Sequence, residues 1–144
     1  MKRVELLTPA KNLKAIKAAS KYADSVYFGI EKFNMRMRSE NIALEDLANV
    51  VDYCHERGIT VQGELGAVPY LGELDSSDVN WDIYMTEPAE AERFVKETGL
   101  DTLAVAIGNA HGFLKEREEP DYERLQLISD LVQIPFARIY TLIF

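Results

Sequence analysis

Short apolar runs alternate with segments of helical periodicity along this chain, and this alternation is what most constrains its fold. Each run is long enough for one strand, and each is followed by a helix pattern and then by another run. Strands separated by helices form parallel sheets with right-handed crossovers. The sequence therefore predicts an α/β fold whose parallel sheet has about five strands. The predicted strands are residues 4–7, 25–28, 59–64, 101–107 and 134–144.

Local signals mark where the predicted helices begin and end. Apolar positions recur at helical spacing in residues 12–22, 43–57, 87–98 and 122–131. The first, third and fourth of these helices have an expected N-cap, and the second and third are followed by glycine. The expected caps are Asn12, Thr86 and Asp121, and the glycines are Gly58 and Gly99. We expect these helices to alternate with the strands and to cover the sheet.

The chain has 144 residues, which suits one domain. A complete (βα)8 barrel needs eight strand–helix units and typically about 250 residues. Because this chain supplies four units and one further strand, it predicts a half or partial TIM barrel, with residues 1–144 forming a single α/β domain. Free sheet edges favour association. We therefore expect a homodimer or a flatter, rearranged sheet, with residues 139–144 pairing across the interface or covering the edge.

Composition limits the partners and the compartment. The net charge of −8 argues against nucleic acid and anionic membranes. No signal-peptide pattern opens the chain, and no run approaches the ~20 apolar residues of a membrane span. We expect a cytoplasmic protein. The single cysteine, Cys54, excludes an intrachain disulfide, and its place in a helical pattern predicts a packing residue and not a nucleophile.

Two predicted strands end in residues suited to metal or acid–base chemistry. Glu64 ends the strand at 59–64, and His111 follows the strand at 101–107 after Gly108. Ligand and catalytic groups of parallel α/β folds lie at the carboxyl ends of the strands. If these strands are neighbours, Glu64 and His111 face one site. A carboxylate and an imidazole there indicate a divalent metal or a general acid–base pair.

Four segments in the first sixty residues share one family resemblance. They are residues 4–10 (VELLTPA), 25–29 (SVYFG), 33–38 (FNMRMR) and 51–58 (VDYCHERG). Together they resemble the amino-terminal part of the collagenase-like (U-thirty-two) peptidases. Lys11 replaces a glycine usual in that family, and its cysteine-containing signature is absent. The resemblance implies the opening units of a barrel and no protease site, so a peptidase-like role is the weakest functional hypothesis.

A second resemblance begins near residue 61 and continues to about residue 136. It is carried by residues 63–66 (GELG), 85–88 (MTEP), 103–112 (LAVAIGNAHG), 121–125 (DYERL) and 134–135 (IP). These residues resemble the class II, zinc-dependent fructose- and tagatose-bisphosphate aldolases. The resemblance implies that His111 binds zinc and that Glu64 lies beside the metal and can coordinate it. It also places Gly112 and Lys115 near the phosphate of the substrate.

The departures from the aldolase pattern limit what this resemblance implies. That family needs further metal-binding histidines and a catalytic aspartate. One group of these lies in a half that has no counterpart here, and Phe136-Ala137-Arg138 stands where another histidine is expected. His55 is no substitute because it lies on a predicted helix. Zinc catalysis usually needs three protein ligands, so a site of two would bind weakly and would be incomplete.

Two functional hypotheses remain beside the weaker peptidase-like role. The leading one is a recombined or truncated TIM-barrel fragment, with segments 1–60 and 61–144 of different origin and no complete active site. The alternative is a metal-dependent lyase of the class II aldolase type acting on a phosphorylated sugar. Under the first, Glu64 and His111 are inherited side chains without a metal, and Lys115 belongs to the solvated charge run that continues through residues 116–119.

Overall fold

A computed structural model describes residues 4–29, 42–69, 80–108 and 119–137 of the chain. Strands and helices alternate through these residues, as the sequence predicts. The elements are β1 (Leu7–Pro9), α1 (Leu13–Ala19), β2 (Ser25–Gly29), α2 (Leu47–His55), β3 (Thr60–Leu65), α3 (Pro88–Thr98), β4 (Thr102–Val105) and α4 (Tyr122–Leu131). Two short 3-10 turns, Leu44–Asp46 and Trp81–Ile83, precede α2 and α3.

The four strands form one parallel sheet in the order β1-β2-β3-β4. Each strand therefore lies beside the next one in the sequence, which is the arrangement of a βα barrel opened along one side. A parallel bridge joins Leu103 to Phe136 beyond β4. There the Leu103 N–H donates to the Pro135 carbonyl at 3.1 Å, and the Ala137 N–H donates to the Leu103 carbonyl at 2.9 Å. The predicted fifth strand thus begins beside β4, and its residues from 138 onward lie outside the described part.

The two faces of the sheet differ in chemistry. One face carries the large apolar side chains that pack against the helices, among them Val26, Phe28, Val61, Leu65 and Leu103. Side chains alternate between faces along a strand, so the residues between these point the other way. The register aligns them in two rows, Tyr27–Gln62–Thr102 and Gly29–Glu64–Ala104. This second face, called the inner face below because it points away from the helices, carries more polar side chains than the first.

The helix ends confirm most of the local signals. Asn12 caps α1 by accepting a hydrogen bond from the Ala15 N–H, and Asp121 caps α4 by accepting one from the Arg124 N–H. Gly99 ends α3 with φ of +69°, and Gly58 follows α2 with φ of +68°. Both glycines adopt the left-handed conformation that favours a residue without a Cβ atom.

Two predictions differ from the structure. Residues 4–6 are not in a strand, and Val4 is 88% exposed, because β1 is an edge strand with β2 as its neighbour in the described sheet. Thr86 is not the cap of α3, since Glu87 occupies that position. Thr86 instead joins two strands. Its Oγ1 donates to the Leu65 carbonyl at 2.7 Å and accepts from the Ala106 N–H at 2.9 Å.

The backbone approaches Thr86 closely at Gly66, directly after β3. Gly66 has φ of +86°, and a Cβ atom there would lie 2.6 Å from Thr86 Oγ1 and 2.7 Å from Ala106 Cβ. A glycine is therefore required for two independent reasons, the backbone conformation and the lack of space. At Gly58 only the backbone conformation favours a glycine, since nothing lies within 4 Å of a Cβ atom placed on it.

We expect Gly66→Ala to destabilise the protein more than Gly58→Ala. Both variants carry the left-handed penalty of about 1–2 kcal/mol, but Gly66→Ala adds a steric overlap that typically costs about 1–3 kcal/mol. Urea unfolding followed by circular dichroism measures the difference. Equal losses in the two variants would show that the contacts around Gly66 relax at no cost.

We expect Thr86→Val to lower the free energy of unfolding by about 1–3 kcal/mol, because it removes two buried hydrogen bonds and leaves the Leu65 carbonyl and the Ala106 N–H only their 3.2 Å bond to each other. Thr98→Val is the matched control. Thr98 is also buried, but its hydroxyl donates to the Phe94 carbonyl four residues earlier in the same helix, an acceptor that the helix itself supplies with an N–H. A loss for Thr98→Val as large as that for Thr86→Val would contradict the bridging role.

Candidate functional site

Glu64 differs from the other described acidic side chains because it is buried. It lies near the carboxyl end of β3, and its neighbours in register are Gly29 on β2 and Ala104 on β4. Only 5% of its surface is exposed, and it is the one buried acidic residue in the described part of the chain. Burying a carboxylate is costly unless it serves an interaction. A buried carboxylate near the carboxyl end of a parallel strand has the position of a site residue.

The strand that leads to His111 lies directly beside β3. Leu65 pairs with Val105, and the Ala106 N–H donates to the Leu65 carbonyl at 3.2 Å. The chain then turns at Gly108, which has φ of +96°. The two strands are thus neighbours with their carboxyl ends at one sheet edge, as the expected pairing of Glu64 with His111 requires. His111, Gly112 and Lys115 themselves lie outside the described residues, so their roles stay predictions.

The connections after β3 and β4 are both closed at their base by hydrogen bonds. The Ala67 N–H donates to the Tyr84 carbonyl at 2.9 Å, so the chain returns next to the point where it left β3. The Asp121 N–H donates to the Ile107 carbonyl at the same distance, which closes the connection after β4. Both connections therefore begin and end at the carboxyl-terminal end of the sheet, where Glu64 lies.

Arg124 links the ends of these two connections. Its Nε donates to Asp121 Oδ2 at 3.1 Å, and its Nη1 donates to Glu87 Oε1 at 2.9 Å. Weaker contacts at 3.3 Å reach the Thr86 carbonyl from Nη1 and Asp82 Oδ1 from Nη2. We call these five residues the Arg124 cluster. One guanidinium thereby joins the start of α4 to the start of α3 and to the turn before it.

The charges within the Arg124 cluster shift the pKa values of two members. The backbone N–H of Arg124 and, after it, the guanidinium hold the pKa of the Asp121 carboxyl below its ordinary value, although partial burial opposes this. Burial would lower the pKa of Arg124, but the hydrogen bonds to Glu87 and Asp121 outweigh it and raise that pKa. Both residues therefore stay charged near neutral pH.

The sequence patterns did not identify Arg124 or Thr86 as residues near the site. The spacing of Asp121 and Arg124, three residues apart at a helix start, is a signal for one of the ion pairs. No local pattern indicates the others, because Glu87 and Asp82 are 37 and 42 residues away from Arg124 along the chain.

The second histidine lies at the opposite end of the sheet. His55 is the last residue of α2, and its Nε2 lies 3.0 Å from Asp101 Oδ2 just before β4. The same oxygen accepts the Val61 N–H at 2.7 Å. His55 and Asp101, with Gly58, Ile59 and Thr60, line a shallow, open depression of about 270 Å³ on the surface. In βα barrels this amino-terminal end contributes to stability, whereas the active site lies at the other end. His55 is therefore no partner for Glu64.

Cys54 behaves as the sequence predicts. Its side chain is completely buried in the core. This burial, the largest influence, raises the pKa of the thiol to about 11. A thiol with that pKa is protonated at neutral pH, and the thiolate is the form that acts as a nucleophile. Cys54 is thus a packing residue.

Within the described residues, no group of three or more His, Cys, Asp and Glu side chains comes together in a way that would hold a metal ion. Glu64 alone of the two predicted metal ligands falls in this part of the chain. Among the described helices, none has the length and apolarity needed to cross a membrane.

Comparison with known proteins identifies the family. The family model of the class II fructose-bisphosphate aldolases matches residues 10–142. The match includes most of the segment 1–60 as well as the segment after it, so the aldolase likeness extends further towards the amino terminus than residue 61. The different origin of the two segments stays a prediction.

Two aldolase structures resemble the fold. The YdjI aldolase from Escherichia coli K12 is 25% identical with a TM-score of 0.65, and the match covers 91% of this chain and 43% of the aldolase. A candidate fructose-1,6-biphosphate aldolase from Coccidioides immitis is 30% identical with a TM-score of 0.66, covering 92% and 46% respectively. The chain thus spans less than half the length of either aldolase.

A third structure shares the fold alone. Phosphoribosyl anthranilate isomerase from Thermococcus kodakaraensis is 13% identical with a TM-score of 0.50, and the match covers 92% of this chain and 51% of the isomerase. The described sheet, with its alternating helices, therefore corresponds to part of a TIM barrel. Since the family model covers nearly the whole sequence, the chain belongs to the class II fructose-bisphosphate aldolase family.

Proposed function

We propose that this chain is a partial barrel of the class II aldolase type that contributes Glu64 and His111 to a divalent-metal site. The observation that carries the proposal is the pairing of β3 with β4. It places the buried Glu64 at the sheet edge from which the connection containing His111 rises. A carboxylate and an imidazole suit zinc, which is the metal of the family that the sequence resembles.

The metal in such a site has one chemical task. Zinc bound there would act as a Lewis acid that polarises the carbonyl group of a sugar and stabilises the negative charge that develops when the bond between the α and β carbons breaks. Glu64 would hold the metal from β3, where its neighbours in register are the small residues Gly29 and Ala104. Gly112 and Lys115 would lie towards the phosphate of a phosphorylated sugar.

We propose that this chain binds a metal but does not catalyse aldol cleavage by itself. Two protein ligands are fewer than the three that catalytic zinc usually has. Phe136 occupies the strand beside Leu103, and Phe136-Ala137-Arg138 stands where the family pattern has another histidine. A further ligand and the group that handles the substrate proton would have to come from elsewhere. We therefore expect weak zinc binding and no cleavage of a ketose bisphosphate.

Zinc titration of the metal-free protein tests this function. We expect wild type to bind one zinc ion and both His111→Ala and Glu64→Gln to weaken binding by about tenfold or more, because each removes one of only two ligands. His55→Gln is the matched control, since it changes the other histidine, at the opposite end of the sheet. Isothermal titration calorimetry measures the affinities.

Two results of this titration would count against the metal site. Equal weak binding by wild type and His111→Ala would show that the zinc lies elsewhere. Loss of binding in His55→Gln alone would move the site to the amino-terminal end of the sheet. Either result would leave the alternative, in which the chain is a barrel fragment whose Glu64 and His111 are inherited and hold no metal.

We also propose that two copies of the chain associate through the two sides of their sheets. At one edge, β1 has β2 as its described neighbour, and Leu7 is 46% exposed together with Leu6 and Val4. Beyond the other edge, Leu127 and Leu131 lie one turn apart on α4 and are both exposed. Each copy thus carries one apolar patch at each side of the sheet, so a two-fold pair can cover both patches.

Sedimentation equilibrium tests this association. We expect wild type to have twice the chain mass of 16.3 kDa, and Leu7→Lys to shift the equilibrium towards monomer, because a charge at a strand edge opposes edge pairing. Ile83→Lys is the matched control, since Ile83 is 69% exposed but lies in the connection after β3. A monomeric wild type, or equal dissociation of both variants, would contradict the edge contact.

A further inference from the structure

The geometry points to Arg124 as a positioning residue that holds the described end of the connection after β4 against the described end of the connection after β3. This inference rests on the proposed function, because it concerns the same sheet edge. Arg124 touches no metal or substrate in this proposal. It acts through Asp121, the residue at which the connection containing His111 returns to the sheet.

The contacts of Arg124 cross between the two connections. Asp121 belongs to the end of the connection after β4, whereas Asp82 and Glu87 belong to the end of the connection after β3. The guanidinium also donates to the Thr86 carbonyl, and Thr86 is the residue that joins β3 to β4 through its hydroxyl. The guanidinium of Arg124 therefore links the ends of both connections to Thr86, which in turn bonds to the strand ends beside Glu64.

The burial of Arg124 separates this cluster from an ordinary surface ion pair. Exposed ion pairs contribute little because water screens them and their long side chains must be ordered. The Arg124 side chain is only 17% exposed, and its fork of N–H groups is rigid and directional. Its partners stay more open to solvent, from 33% for Asp121 to 79% for Asp82. The arginine is thus the buried centre of the cluster, and the more exposed acids surround it.

Capping of α4 does not explain the guanidinium contacts. The cap uses the backbone N–H of Arg124, which donates to Asp121 Oδ1 at 2.8 Å. A residue with any side chain at position 124 supplies that N–H. The side chain of Arg124 adds one contact to the cap residue, Asp121, and its other contacts leave α4 and reach Asp82, Thr86 and Glu87. The two roles are therefore separable by mutation.

The first measurement is amide hydrogen exchange by NMR at the two ends of the sheet. In Arg124→Gln we expect the Asp121 and Ala67 amides, which close the two connections, to exchange about tenfold faster. The Val61 amide, which is bound to Asp101 at the opposite end, should keep its rate. Arg124→Lys, which retains the charge and loses the fork, should give only partial recovery of protection.

The matched control is Lys96→Gln, which removes the ion pair between Lys96 and Glu92 on the exposed side of α3. This pair links two residues of one helix and reaches neither connection, so exchange should be unchanged at both ends. Faster exchange at Val61 as well as at Asp121 in Arg124→Gln would mean a general loss of stability and would overturn the positioning role. Unchanged exchange at Asp121 would overturn it equally.

The second measurement is the zinc affinity of the same variants. If the connection after β4 must be held in place for His111 to meet the metal beside Glu64, Arg124→Gln should weaken zinc binding about tenfold, and Lys96→Gln should not. Unchanged affinity together with faster exchange at Asp121 would overturn the link to the site. If wild type binds no zinc, the proposed function fails, while the exchange rates still decide whether Arg124 positions the two connections.

Discussion

The parallel pairing of β3 with β4 is the contact on which the rest of the site depends. Side chains alternate along a strand, so a shift of one residue would turn every side chain of β3 to the opposite face. Gly63 shows why this register is strongly preferred. A Cβ atom at position 63 would lie 2.3 Å from Leu100 Cδ1 and 2.9 Å from Phe94 Cε1. A glutamate has no room on that face, and Glu64 therefore belongs on the inner one.

The two ends of the sheet use polar groups for different purposes. At the amino-terminal end, one oxygen of Asp101 receives both a backbone N–H and the ring of His55, which ties α2 to the start of β4. At the carboxyl end, Thr86 and Arg124 join the starts of α3 and α4 to the strands. The first arrangement stabilises a corner of the fold. The second also sets the positions of two long connections, which is where an α/β protein places its chemistry.

The accuracy of the sequence-based predictions follows the range of the interactions involved. The bounds of α4 agree with the prediction because the Asp121 cap and the apolar spacing act within a few residues. The strand predicted at residues 4–7 was wrong for residues 4–6, because strand pairing depends on whether a neighbouring strand exists. Thr86 has a residue type suited to capping, but partners on β3 and β4 that lie about twenty residues away hold it between the strands.

The sequence by itself determined the alternation of strands and helices, most of the helix ends and the position of Glu64 near the end of a strand. These features come from periodicity and from local backbone hydrogen bonds, which a short stretch of chain contains. Only the tertiary structure decided the strand order, the face that Glu64 occupies and the convergence of Asp82, Glu87 and Asp121 on Arg124. Those features depend on contacts between distant residues, and such contacts form only when the packed helices and the sheet register bring the residues together.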